Sequence, residues 1–211
     1  MRKWTLPAVT AAVVAIALVS FSVAGDKHGD KNKSGGPTIG APAPQFSLQD
    51  QNGKTHSLAD YSGKVVVLEW FNEECPYVVK HYKEGHMNKL AQRYADKDVV
   101  WLAVNSTSGK SNDANKAIAS EWKIERPILN DSSGEVGKMY ASRNTPTMYV
   151  IDKQGNLAYW GAIDSDRSPD TKAIDGATNY VAKALDEVLA GQSVSEPRTK
   201  AYGCNIKYAS K

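Results

Sequence analysis

The chain has 211 residues, of which 41% are hydrophobic and 23% charged, and its formal net charge is +3. That composition fits a soluble globular protein with room for one domain, a leader and a tail, and it carries no basic stripe of the kind that binds nucleic acid. The only two cysteines, Cys75 and Cys204, belong to no Cys-x-x-Cys pair, which argues against a four-ligand zinc site and leaves one disulfide to be considered.

Residues 1–24 read as a secretory signal. Arg2 and Lys3 form a positive start, Ala8 to Val19 is a nearly unbroken apolar run, and Ser22-Val23-Ala24 supplies the small residues of a cleavage site before Gly25. The alternative is an uncleaved anchor helix, for which the run is short. No cysteine lies near the cleavage site, so a lipid anchor is not expected. Export to the periplasm or the cell exterior follows, in a compartment that permits disulfides, with no stable membrane insertion after cleavage. Residues 25–38 are polar, rich in Lys, Asp and Gly and without periodicity, and read as a flexible, solvated linker.

The domain is expected over 39–191. Phe46 and Leu48 alternate with polar residues before Asn52-Gly53, a strong hairpin turn. Val65 to Phe71 is short, apolar and β-branched, the pattern of a strand buried on both faces; Glu69 is its one exception. Pro76 suits the first position of a helix, so Cys75 is expected to cap one. Val78, Tyr82, Leu90 and Tyr94 continue at helical spacing. Val99 to Val104 is a second apolar strand. Ala114, Ile118 and Trp122 mark an amphipathic helix with Asp113 as its expected cap. Pro127 to Leu129 suggests a short strand and Gly134 to Ala141 a short helix. Thr147–Ile151 and Leu157–Ile163 flank Lys153-Gln154-Gly155-Asn156 as a second hairpin. From Ala177 to Leu189 runs the clearest helical pattern, ended by Gly191. Strands alternating with helices and closing on an antiparallel hairpin imply an α/β fold, a central mixed sheet flanked by helices.

A thiol at a helix N-terminus meets unpaired N–H groups and a partial positive charge, and both favour the thiolate, the nucleophile of thiol chemistry. Glu73 and Glu74 oppose that effect. Glu69 is costly in an apolar strand unless paired or protonated; it is either a proton acceptor for Cys75 or a solvated edge residue. His81 and His86 do not share a face with Cys75 and read as helix-surface histidines. Tyr77, Tyr82, Trp70, Trp101, Trp122 and Trp160 read as packing residues.

The order of strand, Cys75-Pro76 at a helix start and Thr145-Pro146-Thr147 before a hairpin resembles the thioredoxin-like superfamily. The opening Gly40-x-Pro42-x-Pro44-x-Phe46, with Gly53-Lys54, Leu58 and Gly63-Lys64-Val65, is similar to its redoxin branch, which holds the AhpC/TSA peroxiredoxins and the TlpA-like thiol–disulfide proteins. The resemblance spans about residues 40–191. It implies a thioredoxin-like fold with an N-terminal β-hairpin extension, and an oxidoreductase with no cofactor. Cys75 would be the nucleophile, Glu69 a buried proton acceptor, and Pro146 would follow a cis peptide bond beside the nucleophile. Pro76, Arg143, Thr145 and Pro146 become the substrate-binding candidates, the Thr145-Pro146 edge as a platform for an extended substrate chain. Two departures stand out. The second thioredoxin cysteine is replaced by Val78, and the peroxiredoxin Pro and Thr/Ser positions hold Leu68 and Asn72.

Cys204 lies beyond the last helix, in a tail of residues 192–211. At about 3.3 Å per residue, the 13 residues after Gly191 reach roughly 43 Å, enough to bring Cys204 to Cys75. Cys204 is therefore the candidate resolving thiol, with an unpaired thiol on a loose tail as the alternative. Three functions remain open: thiol–disulfide exchange through Cys75, a thiol peroxidase acting on hydroperoxides, and a non-catalytic peptide-binding domain. The first two require a protein or small-molecule substrate and an external thiol reductant.

Overall fold

The computed structural model describes Met1 and residues 36–209. The leader and most of the linker lie outside the described residues. The hairpin forms as β1 (Ser47–Gln49) and β2 (Thr55–Ser57), paired antiparallel with Ser47 opposite Ser57. Its turn is closed by Asp50, whose carboxylate accepts from the Asn52 and Lys54 amides.

The central sheet has five strands. β3 (Val65–Trp70) lies in the middle, with β4 (Val99–Asn105) and β5 (Ile128–Asn130) parallel on one side. On the other side β7 (Thr147–Ile151) and β8 (Leu157–Gly161) run antiparallel, giving the order β5-β4-β3-β7-β8. All six residues of β3 are buried, as its apolar run requires. Alternation sends Val65 and Val67 to a face packed with Val78, Ile118, Val181 and Leu185, and sends Val66, Leu68 and Trp70 to a face packed with Phe46, Leu58 and Val136. Helices therefore cover both faces. The first face carries α1 (Pro76–Lys83), α2 (His86–Tyr94), α3 (Asn112–Glu121) and α5 (Tyr180–Leu189); the second carries α4 (Glu135–Met139) and the N-terminal hairpin.

Three boundaries differ from the sequence reading, each for a local reason. The helical run after Cys75 breaks at Gly85, whose φ of +72° ends α1 and starts α2. The cap of α3 is Ser111 rather than Asp113: the Ser111 hydroxyl accepts from the Ala114 amide at 3.1 Å, and Asp113 falls inside the first turn. The last helix begins three residues later than Ala177, where Asn179 accepts from the Ala182 amide at 2.8 Å. Ser111→Ala should cost about 1 kcal/mol in a denaturant titration. Asp113→Ala should cost less, because its side chain holds no orphan amide.

The tail is neither loose nor remote. The Pro197 carbonyl accepts from Trp160, and β9 (Cys204–Asn205) pairs antiparallel with β6 (Asn144–Thr145), setting Cys204 opposite Thr145. Beyond it, the Ile206 amide donates to the Arg143 carbonyl, the Lys207 carbonyl accepts from Ser108, and the Tyr208 hydroxyl donates to the Ser142 carbonyl.

Candidate active site

Cys75 sits at the C-terminal end of β3, where the chain leaves the sheet through Asn72-Glu73-Glu74. Asn72 shapes that turn: its side-chain oxygen accepts from the Glu74 amide at 2.8 Å and its carbonyl from the Cys75 amide at 3.1 Å. Cys75 is the N-cap of α1 with Pro76 next in the first turn, and its carbonyl accepts the amides of Val78 and Val79. The side chain is 1% exposed.

The Thr145–Pro146 peptide bond is cis. The turn is held by the Thr147 hydroxyl, which donates to the Asn144 carbonyl at 2.7 Å. This places the Thr145 carbonyl over Cys75, and the thiol donates to it at 3.0 Å. The Thr145 hydroxyl is buried and has no other partner, so it is free to turn toward a thiolate. The β6–β9 register then lays Cys204 against the same spot. Both cysteines are free, and Cys204 stands opposite the Thr145 whose carbonyl accepts the Cys75 thiol.

Burial alone would push the Cys75 thiol up. It is outweighed by the Cys204 thiol, the Thr145 hydroxyl and the backbone amides of Cys204 and Val78, so the pKa of Cys75 lies below its ordinary value. Cys204 moves the other way, to about 11, through burial and through the hydrogen bond and charge of Cys75. The two thiols are thus split into one that ionises readily and one that keeps its proton.

Glu73 and Glu74 do not lie free beside the thiol. Lys110 binds Glu73 at 2.5 Å and Glu74 at 3.4 Å, and Lys207 from the tail binds Glu74 at 2.6 Å. Their charge is offset locally, which sequence spacing did not reveal.

Glu69 is fully buried on the Cys75 side of the sheet. Its carboxylate accepts from the Tyr82 hydroxyl at 2.7 Å, the Trp101 indole at 2.9 Å and the Arg126 guanidinium at 3.1 Å. It is therefore a paired core residue, not a solvated edge. Arg126, which enters from the loop before β5, is the partner that sequence reasoning missed. Tyr82 is more than packing, because its hydroxyl joins this network.

The structure also moves other candidates. Pro146 is buried under the tail: the edge expected to receive a substrate chain is filled by β9. Pro76 is exposed at the helix start. Arg143 is exposed, and its carbonyl accepts the Ile206 amide of the tail. His81 is not on the surface. It is buried, with Nε2 3.3 Å from the Tyr202 hydroxyl and 3.9 Å from Asp164, and burial together with Lys80 and His86 drives its pKa down to about 3. Lys80 beside it is buried too, with its ammonium donating to the Asp166 and Ser168 carbonyls and to the Asp166 carboxylate. These groups fix Tyr202, two residues before Cys204, whose hydroxyl donates to Asp164 at 2.5 Å. Among the described residues, no three His, Cys, Asp or Glu side chains gather as metal ligands.

A mixed sheet with a thiol at a helix start beside a cis-proline turn defines a thioredoxin-fold thiol oxidoreductase. The chain belongs to the AhpC/TSA family, whose model matches residues 39–160. It is 33% identical to the thioredoxin-like protein YneN of Bacillus subtilis over 74% of this chain and 86% of that protein. It is 31% identical to the thiol–disulfide oxidoreductase ResA of Bacillus thuringiensis over 56% of this chain and 66% of ResA. A crystal structure of the hypothetical protein SMc02350 from Sinorhizobium meliloti superposes with a TM-score of 0.73 at 25% identity, covering 84% of this chain and 98% of that one.

Proposed function

We propose that the protein performs thiol–disulfide exchange through a Cys75–Cys204 couple. The observation that carries this reading is the β6–β9 register, which sets Cys204 opposite Thr145, the residue whose carbonyl accepts the thiol of Cys75, the chain's one other cysteine. Cys75, as the more readily ionised thiol, attacks a substrate disulfide and expels one substrate thiolate, leaving a mixed disulfide. Cys204 then attacks the Cys75 sulfur, releasing the second substrate thiol and closing the bridge. The substrate is reduced by two electrons and the protein oxidised by two. Glu69 is proposed to act as an electrostatic element under the site, held by Arg126. The Thr145-Pro146 edge serves to seat the tail, with Pro76 and Arg143 as outer contacts for a partner. Residues 1–24 support an exported location, where the bridge would persist.

Oxidising the reduced protein with glutathione disulfide and following intact mass tests this. The expected product has lost two hydrogens, with Cys75 and Cys204 in one cross-linked peptide. Two free thiols, or glutathione retained on Cys75, would remove the couple. In Cys204→Ala, the Cys75 thiolate midpoint, read by ultraviolet absorbance, should rise, because the strongest group opposing burial is gone. An unchanged midpoint would mean that Cys204 does not tune Cys75.

One observation favours a second reading. The unpartnered Thr145 hydroxyl beside Cys75 supplies a donor of the kind that position 72 lacks in sequence. In that reading Cys75 attacks a hydroperoxide, becomes a sulfenic acid and condenses with Cys204, releasing water. Stopped-flow oxidation by hydrogen peroxide separates the two: a rate no faster than that of a free thiol leaves the exchange reading.

A further inference from the structure

Three cations border one groove of about 690 Å³ beside the tail: Arg143, Arg198 and Lys200. Arg198 stacks over Trp160 at 4.3 Å, and among the described residues no Asp or Glu lines the groove. Among the described residues none of the three cations forms an ion pair, and the nearby Glu196 is taken by Lys183 at 3.4 Å. Unpaired cations around a concavity concentrate anions there. The groove also abuts the thiols. Asn144 in its wall donates to the Gly203 carbonyl at 3.2 Å, and Ala201 in its wall lies three residues before Cys204. Cys204 is the sulfur on offer, because it is half-buried while Cys75 is 1% exposed.

We infer that this groove docks an acidic segment of the thiol-bearing redox partner, which attacks Cys204. The inference rests on the Cys75–Cys204 bridge proposed above. The partner thiolate forms a bond to the Cys204 sulfur, the Cys75–Cys204 bond breaks, and Cys75 leaves as a thiolate with the electron pair. A second partner thiolate attacks the mixed disulfide at the partner sulfur, releasing a partner disulfide and the Cys204 thiolate, which takes a proton from water. Two partner thiols are oxidised and the protein disulfide is reduced.

The test uses the full chain with the bridge closed and two cysteine peptides of equal length, one flanked by glutamates and one by lysines. At low ionic strength the acidic peptide should open the bridge about tenfold faster, and the gap should close in roughly 0.5 M salt. The double variant Arg198→Gln, Lys200→Gln should lose most of the gap and keep the wild-type rate with mercaptoethanol. With one equivalent of acidic peptide and iodoacetamide present to cap the expelled thiol, the peptide should be found on Cys204. Equal rates for the two peptides, a gap that survives undiminished in the double variant, or a peptide on Cys75 would each overturn the inference while leaving the couple intact. A chain that never closes the bridge overturns both, and shows itself as two free thiols before any peptide is added.

Discussion

Gly203→Ala should slow closure of the Cys75–Cys204 bridge by about 100-fold, the order expected for a 1 Å misplacement of reacting groups. Gly203 has φ of +116°, and a β-carbon there would stand 2.0 Å from the Thr145 carbonyl oxygen and 2.8 Å from its carbon. Both are backbone atoms of the cis-proline turn and have no rotamer to yield. The tail must lift instead, which breaks the Cys204–Thr145 pairing and separates the thiols. Cys75 would keep Val78 and the Thr145 hydroxyl but lose the Cys204 thiol and amide, so its thiolate midpoint should also rise. Thiol counts over time after mild oxidation, beside thermal unfolding, check this. Closure at the wild-type rate would show that β9 does not set the approach of the two sulfurs.

The second large effect belongs to the pair beneath the site. Arg126→Met should destabilise the fold by about 3–5 kcal/mol, the usual consequence of leaving one buried charge without its partner. Glu69 is fully buried, and Arg126 is its only cationic partner within 4.0 Å among the described residues. The variant also removes the bonds from Arg126 to Tyr82 and Asn88 and its cation–π contacts with Tyr82 and Trp101. Glu69→Leu should be similarly costly, since it strands the buried Arg126 charge. The double variant Glu69→Leu, Arg126→Met should recover part of the loss, since neither charge remains to be desolvated. Urea titration of the four proteins gives the coupling. Simple additivity would show that the two residues do not act as a pair.

What the sequence disclosed, and what it withheld, divides along physical lines. The β3 run and the Cys75-Pro76 start were readable because burial on two faces and helix capping are local and leave a periodic mark. The same holds for the Asn52-Gly53 hairpin and the cis turn at Pro146, the latter through family resemblance. Arg126 was not readable, because it reaches Glu69 from a distant loop and carries no pattern of its own. Nor was β9, whose two residues have no alternation and owe their conformation to β6. His81 was read as surface because its spacing does not place it on one helix face with Cys75 and His86. Lys80 in fact turns inward to Asp166, so helix periodicity misjudged that face. The tail's reach was estimable from length alone; its destination depended on Gly203 and Tyr202 making room and anchorage.

The seating of the tail through β9 also matters in time. Cys204 is made roughly 130 residues after Cys75, on the order of ten seconds later at ordinary synthesis rates. Throughout that interval the nascent domain has an unpaired Cys75 and an uncovered proline edge, with no mate from its own chain. Any foreign thiol or strand met then competes for the place that β9 is to fill. Synthesis of the Cys204 segment, rather than collapse of the core, is the event that closes this site to strangers.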